Sequence, residues 1–207
     1  MNSKNYFDEV ANEWDRMRQS FFSDAVRQKA YSVAGVKEGE TAADIGAGTG
    51  FITEGLVARG LRVFAVDQSE EMLVVMKKKF SKFEGIEYRL VKEVSLPIPD
   101  ESVDYAFANM YLHHVESPPD AIREMVRILK SGGKLVITDL DEHGFEFLRV
   151  EHHDRWMGFK RDDIKQWFTE SGLKKVVVDC VGEDCCAESS CGSDYASISI
   201  FVASGEK

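Results

Sequence analysis

"TAADIGAGTGFITEG", residues 41–55, passes from a short apolar run through three alternating glycines into a helical pattern. It reads as a strand, a tight turn and a helix. Gly46, Gly48 and Gly50 permit positive φ and close backbone approach, and the free N–H groups at the helix start face a polar ligand. The next apolar run, "RVFAV", leads to Asp67, 21 residues beyond Gly46. A carboxylate there can accept both hydroxyls of a ribose. The spacing is G-x-G-x-G, followed by Phe51, and not the G-x-G-x-x-G of dinucleotide sites; no Lys-Ser or Lys-Thr follows to make a P-loop. The loop therefore lacks a clear diphosphate cradle and favours a nucleoside without phosphates.

Outward from this loop, "IEYRLV", "VDYAFA" and "KLVITDL" alternate with helical patterns such as "SEEMLVVMKKKF" and "DAIREMVRILKSGG". Such alternation predicts an α/β fold with a mostly parallel, doubly wound sheet covered by helices on both faces. The glycines of "SGG", residues 131–133, are expected to stop the preceding helix. Before residue 40 two helical stretches are predicted, the first carrying Phe7, Val10, Trp14 and Met17 at helical spacing. Near the C-terminus "LKKVVVDCV" and "DYASISIFVAS" read as strands with no helix between them, hence an antiparallel pair. One domain is expected over residues 1–207: an N-terminal helical cap (1–38), a ligand-binding core (39–140) and a part with helices and the C-terminal hairpin (141–207).

Composition narrows the function class. With 43% hydrophobic and 30% charged residues the 207-residue chain reads as an ordinary globular protein. A formal charge of -10 argues against nucleic acid as partner, since its binders usually present a basic face. The start lacks the features of a signal peptide, and no window approaches the roughly 20 apolar residues of a membrane span. A cytoplasmic protein with reduced thiols, a small-molecule partner and a monomeric or homodimeric state is expected.

"AADIGAGTG", "VFAVDQSEEML", "LPIPDESVDYAFANMYLHHV" and "REMVRILKSGGKLVITD" together resemble the successive motifs of the class I S-adenosylmethionine-dependent methyltransferases, in the group that includes quinone-biosynthesis and arsenite methyltransferases. The resemblance covers roughly residues 5 to 140 in consistent order. It implies the Rossmann-like seven-stranded sheet of order 3-2-1-4-5-7-6 with an antiparallel last strand, and S-adenosyl-L-methionine as cofactor, with S-adenosyl-L-homocysteine as product. Carried onto this sequence, Asp44, Gly46, Ala47, Gly48 and Gly50 match the loop holding the amino-acid end of the cofactor. Asp67 matches the ribose carboxylate, Gln68 and Met72 lie beside the adenine, and Asn109 and Met110 lie under the methionine moiety. Aligning on "LPIP" puts Val91, Lys92 and Glu93 where the family usually has Gly-Asp-Ala, so Glu93 with Val94, or backbone and apolar contacts, must hold the adenine. Tyr6, Phe7 and Trp14 can close the pocket, their rings favouring a sulfonium; packing of an apolar helical stripe explains them too.

His113 and His114 follow the fourth strand, at the carboxyl edge where open α/β sheets bind ligands, and are the catalytic candidates; a structural hydrogen bond is the plainer role. His143, like His152 and His153, lies after the fifth strand and is a substrate-side candidate. Every cysteine, Cys180, Cys185, Cys186 and Cys191, falls in residues 179–195, where the last two strands are joined. In the family's order that turn hangs over the cofactor face. Adjacent Cys185 and Cys186, with Cα atoms about 3.8 Å apart, suit a mutual disulfide poorly. The spacing C-x4-C-C-x4-C is not that of a standard zinc motif, though a four-thiolate site stays open. Cys185, Cys186 and Cys191 are therefore expected to hold a soft acceptor such as arsenic, selenium or sulfur, or else to form a redox-sensitive loop apart from catalysis. A quinone-type carbon or oxygen acceptor is the alternative within the class. Outside it stand a non-catalytic thiol-based metal or redox sensor and a nicotinamide-dependent oxidoreductase.

Overall fold

The computed structural model describes residues 3–92, 95–190, 192 and 194–207. Seven strands form the sheet: β1 (Thr41–Ile45), β2 (Arg62–Asp67), β3 (Ile86–Leu90), β4 (Val103–Asn109), β5 (Leu129–Leu140), β6 (Lys174–Glu188) and β7 (Tyr195–Glu206). Their order is β3-β2-β1-β4-β5-β7-β6, with β7 antiparallel to both neighbours, as expected. Because β1 lies at the centre of the reversal in strand order, the crevice beyond its carboxyl end is the natural ligand site.

Alternation along β4 shows how the sheet serves two cores. Tyr105 and Phe107 point to one face, where α3 (Ala25–Ala34) and α4 (Phe51–Val57) bring Val26, Tyr31, Ile52 and Leu56. Ala106 and Ala108 point to the other, under α6 (Pro118–Ile128) and α8 (Arg161–Glu170), whose Ile122, Met125, Ile164 and Phe168 are buried. A smaller cluster joins Ala47, Ala65, Leu73, Met76 and Phe80 beneath α5 (Glu70–Lys79). No helix among the described residues is long and apolar enough to cross a membrane.

Three details depart from the sequence reading. The first helical stretch divides into α1 (Ser3–Val10) and α2 (Trp14–Phe21), the break at 11–13 closed by the Glu13 N–H donating to the Val10 carbonyl at 2.9 Å. Asn12 sits in that break, and short polar side chains of this kind favour turns over helix interiors. Second, α6 stops at Ile128, before the glycines, because Leu129 is already extended at φ -70, ψ 137. β5 then runs through the "SGG" segment, where the register against β4 shifts. Third, β6 does not end near Val181: it continues to Glu188, and the hairpin turn comes only after it. Between Cys180, opposite Phe201, and Asp184, opposite Ser199, β6 bulges, with Gly182 at φ 91 taking the left-handed position.

Candidate active site

The glycine turn is built from the sheet outward. The N–H groups of Gly46 and Ala47 donate to the Val66 carbonyl at 2.9 and 3.0 Å, and Gly46, Gly48 and Gly50 all have positive φ. Asp44, fully buried, accepts from the Thr53 N–H at 2.9 Å and its hydroxyl at 2.7 Å, fastening the start of α4 to β1. Burial pushes its carboxyl up to about 7, against the pull of those two hydrogen bonds. Asp67 accepts from the Gly48 N–H and the Ser69 N–H, both at 2.8 Å, one on each oxygen. Its affinity for a proton is raised by burial, again against its hydrogen bonds. A carboxylate offers about four lone-pair sites, so both oxygens keep acceptor capacity. Gln68 is exposed beside it, whereas Met72 is fully buried in α5, its N–H donating to the Ser69 hydroxyl at 3.1 Å. Glu93 and Val94 lie outside the described residues.

Rings close the cleft above this turn. A Cβ on Gly46 would fall 2.5 Å from Tyr111 Cδ2, and one on Gly48 would lie 3.6 Å from Trp14 Nε1. The cap is tied to the turn by two hydrogen bonds, Ser69 Oγ to Asp8 at 2.6 Å and Thr49 Oγ1 to Asp15 at 2.7 Å, the latter carboxylate also paired with Lys79 at 2.9 Å. Asp8 and Asp15 were not singled out from the sequence, where they read as ordinary polar positions of an amphipathic helix.

β4 ends with Asn109, whose side-chain oxygen accepts from the Thr138 hydroxyl at 2.8 Å, and Met110, at φ 50. A 3-10 turn, Leu112–His114, follows and delivers both histidines to a pocket. Its wall is aromatic and apolar, with Tyr6, Phe7, Trp14, Phe21, Met110 and Leu148. Its floor is polar, with His113, His114, His152, Asp154 and Cys185. Phe7 stands edge-on to Trp14 and His114 at 5.2 and 5.1 Å between centroids, and Tyr6 Oη is 3.3 Å from His152 Nδ1.

Asp139, at the carboxyl end of β5, orders the floor. Its carboxylate accepts from His113 Nδ1–H at 2.6 Å and from the N–H groups of Tyr111, Leu112 and Leu140 at 3.2, 2.8 and 2.8 Å. The tautomer of His113 is thereby set, and Nε2 faces the pocket. Burial alone would lower its proton affinity, but Asp139 and Asp154 overrule it and push His113 up to about 9. Asp154 is brought over the same ring because the N–H groups of Arg155 and Trp156 donate to the His113 carbonyl at 2.9 and 3.0 Å. Its carboxylate stands 3.7 Å from His113 Nε2 and 3.9 Å from His114 Nδ1, and burial pushes it up to about 6, with His113 pulling it back. His114 is held well below the usual histidine range by burial, with the charge of His113 adding to it. Sequence reading missed Asp139 and Asp154; an acid closing the apolar run "KLVITDL" was the available signal for the first.

His143 does not line this pocket but lies near enough to its floor for His113 and Asp139 to act on it, and its Nδ1 accepts from the Phe145 N–H at 3.3 Å. The thiols do not act as one group. Cys185 and Cys186 sit within β6, not in a loop, and successive strand residues face opposite ways. Cys185 lines the pocket, where burial, reinforced by Asp154, pushes its thiol up to about 12. Cys186 faces away, with Tyr195 beside it, and Cys180 lies next to Arg161; both are on the opposite face of the sheet from Cys185. The three described cysteines are free, and Cys191 lies outside the described residues.

Residues 43–137 match the family described as "Methyltransferase domain". Over that stretch, just under half of the chain, the sequence is similar to a methyltransferase domain. It is similar to the demethylmenaquinone methyltransferase of Tropheryma whipplei (strain Twist), 35% identical over 136 residues that make up 64% of this chain and 56% of that relative. The chain thus spans little more than half of that relative's length. Among solved structures, an S-adenosylmethionine-dependent methyltransferase from Aquifex aeolicus superposes with a TM-score of 0.70 at 22% identity, covering 96% of this chain and 97% of that one. The [4+2]-cyclase SpnF superposes with a TM-score of 0.78 at 15% identity, covering 99% and 94%. Likeness at such identities speaks for the methyltransferase fold alone, and the chemistry has to be argued from the site.

Proposed function

We propose that the chain binds S-adenosyl-L-methionine across the glycine turn and transfers its methyl group to a small, planar aromatic acceptor of the quinol type lodged between Phe7, Trp14 and the histidine floor. The observation that carries this reading is Asp67: a buried carboxylate at the end of β2, beside a glycine turn whose spacing is not that of a diphosphate cradle, with acceptor capacity left on both oxygens. When bound, the cofactor supplies an activated methyl on a sulfonium. The chain's part is to place the acceptor in line and exclude water, effects of orientation worth roughly 7–11 kcal/mol. Asp67 would hold the ribose hydroxyls, and the glycine turn, Gly46–Gly50, would take the amino-acid end. Trp14 and Tyr6, on the cap, would cover the sulfonium. His113, locked by Asp139, would hold a proton at Nε2 against a developing or resident acceptor oxyanion. The apolar wall favours an aromatic acceptor over a metalloid, because among the described residues one thiol, Cys185, faces it and a soft trivalent centre wants several. A monothiol or a selenium acceptor beside Cys185 is the second reading.

Calorimetric titration with S-adenosyl-L-homocysteine and with NADH tests the donor half; NADH binding alone ends the proposal. Labelled methyl transfer to quinone precursors, small thiols, arsenite and selenite tests the acceptor half. Label on arsenite or selenite, with none on the quinone precursors, would overturn the aromatic acceptor.

A further inference from the structure

Asp139 and Asp154 differ in a way that the methyl-transfer reading does not use. Asp139 has four donors, three of them backbone N–H groups. Asp154, with 4% of its side chain exposed, faces two imidazole nitrogens at distances too long for hydrogen bonds. On the other side of that gap, His114 Nδ1 is a buried nitrogen with no hydrogen-bond partner, while the ring's other nitrogen is held by the His153 backbone. His113 Nδ1–H is held by Asp139, so its Nε2 also faces the gap. Among the described residues no lysine or arginine lines this pocket.

Three ligating atoms, His113 Nε2, His114 Nδ1 and an Asp154 oxygen, thus lie within 4.8 Å of one another, the one such set of His, Cys, Asp or Glu among the described residues. The structure assigns to them a divalent transition-metal site of the zinc class, at the floor of the acceptor pocket. Metal–nitrogen and metal–oxygen bonds of about 2.0–2.2 Å in a tetrahedron separate the ligand atoms by about 3.4 Å, a few tenths less than the two gaps to Asp154, while the two imidazole nitrogens, within 4.8 Å of each other, would close on the ion by side-chain rotation. Each imidazole has its second nitrogen engaged, by a carboxylate in one case and a carbonyl in the other, the outer arrangement that orients histidines on metals. Three protein ligands leave the fourth position open, toward the aromatic wall and Cys185. An acceptor oxygen or thiol would reach the ion there. With the ion bound, His113 Nε2 serves as its ligand and carries no proton. The site stands on its own geometry and does not depend on the methyl-transfer reading.

Chelator-treated full-length protein titrated with Co2+ tests it, followed by optical absorption and calorimetry, with Zn2+ as competitor. One Co2+ per chain with ligand-field bands of a low-coordinate ion is expected. His114→Ala and Asp154→Asn should each weaken it by about 100-fold or more, and Asp139→Asn, which touches no ion, by about 10–100-fold. Cys180→Ser with Cys186→Ser should leave it unchanged. Thermal unfolding checks that each variant is folded, and Asp154→Asn, nearly isosteric, keeps the test open if His114→Ala is not. Absence of Co2+ binding by folded protein, or binding that survives Asp154→Asn but is lost in the cysteine variants, would overturn the assignment. S-adenosyl-L-homocysteine titrated into the same metal-free protein separates failure of this site from failure of the donor site.

Discussion

Gly50→Ala puts the glycine turn to a quantitative test. Gly50 has φ 95, and a Cβ there would lie 2.4 Å from Phe80 Cε2 and 3.0 Å from Met76 Cε, in a cluster where both side chains are buried. Left-handed backbone costs a non-glycine residue about 1–2 kcal/mol, and forcing an atom into a packed cluster typically adds about 1–3 kcal/mol. Gly132 supplies the control: its φ is 76, but nothing lies within 4 Å of a Cβ placed on it. Gly132→Ala should therefore lose only the backbone part, about 1–2 kcal/mol, and Gly50→Ala about 2–5 kcal/mol. For a domain of this size 1 kcal/mol moves the melting temperature by about 2–4 °C. The midpoint of Gly50→Ala should fall near 10 °C below wild type, about twice the drop of Gly132→Ala or more, by calorimetry or circular dichroism. Equal drops in the two variants would refute the steric component and with it the tight seating of the turn on Phe80.

Asp67→Ala should reduce S-adenosyl-L-homocysteine affinity by roughly 100- to 10,000-fold, from two charge-assisted hydrogen bonds at about 1.5–3 kcal/mol each; unchanged affinity by calorimetry would remove Asp67 from the site. Asp44→Asn probes pH. The folded carboxyl is raised to about 7, above an unfolded value near 3.9, so the wild type is fully stable below the unfolded value and loses stability as pH rises through 7. The asparagine, which keeps an acceptor for Thr53, should gain on it between pH 5 and pH 8 by at most about 3 kcal/mol. A pH-independent gap between the two melting curves would contradict the raised value. Cys185→Ser should alter the turnover of any thiol or selenium acceptor and Cys186→Ser should not, since Cys186 faces away from the pocket; equal effects in the labelled-transfer assay would place the acceptor elsewhere.

Much of the sheet was legible because its signals are local. Apolar runs of strand length, the alternating glycines and an acid after the second strand each follow from a few neighbouring residues. The helix-free connection before β7 likewise announced an antiparallel edge. The floor of the pocket was not legible, because Asp154 reaches His113 through backbone bonds from a segment with no periodicity, some 40 residues downstream. Asp139 lay hidden in a run read as apolar. The thiols were misread for a simpler reason: ending the strand near Val181 made a loop of residues that keep strand alternation, under which Cys185 parts from Cys180 and Cys186. The break that separates α1 from α2 depended on three residues, too few to outweigh the helical spacing on either side.

The bulge of β6 divides one strand into two tasks. Upstream of it Val176 and Val178 answer to the core over α8; downstream, Cys185 and Ala187 answer to the pocket, and their pairing with β7 is set from the hairpin end. Four residues of β6 there span the distance of two on β7, so the slack between Cys180 and Asp184 isolates the halves from each other's register. Additions or losses of chain at 181–183 would change the length of the blister without turning the distal side chains over. The hairpin is thus an exchangeable module, able to present a different side chain to the acceptor while the sheet that carries the donor loop stays as it is.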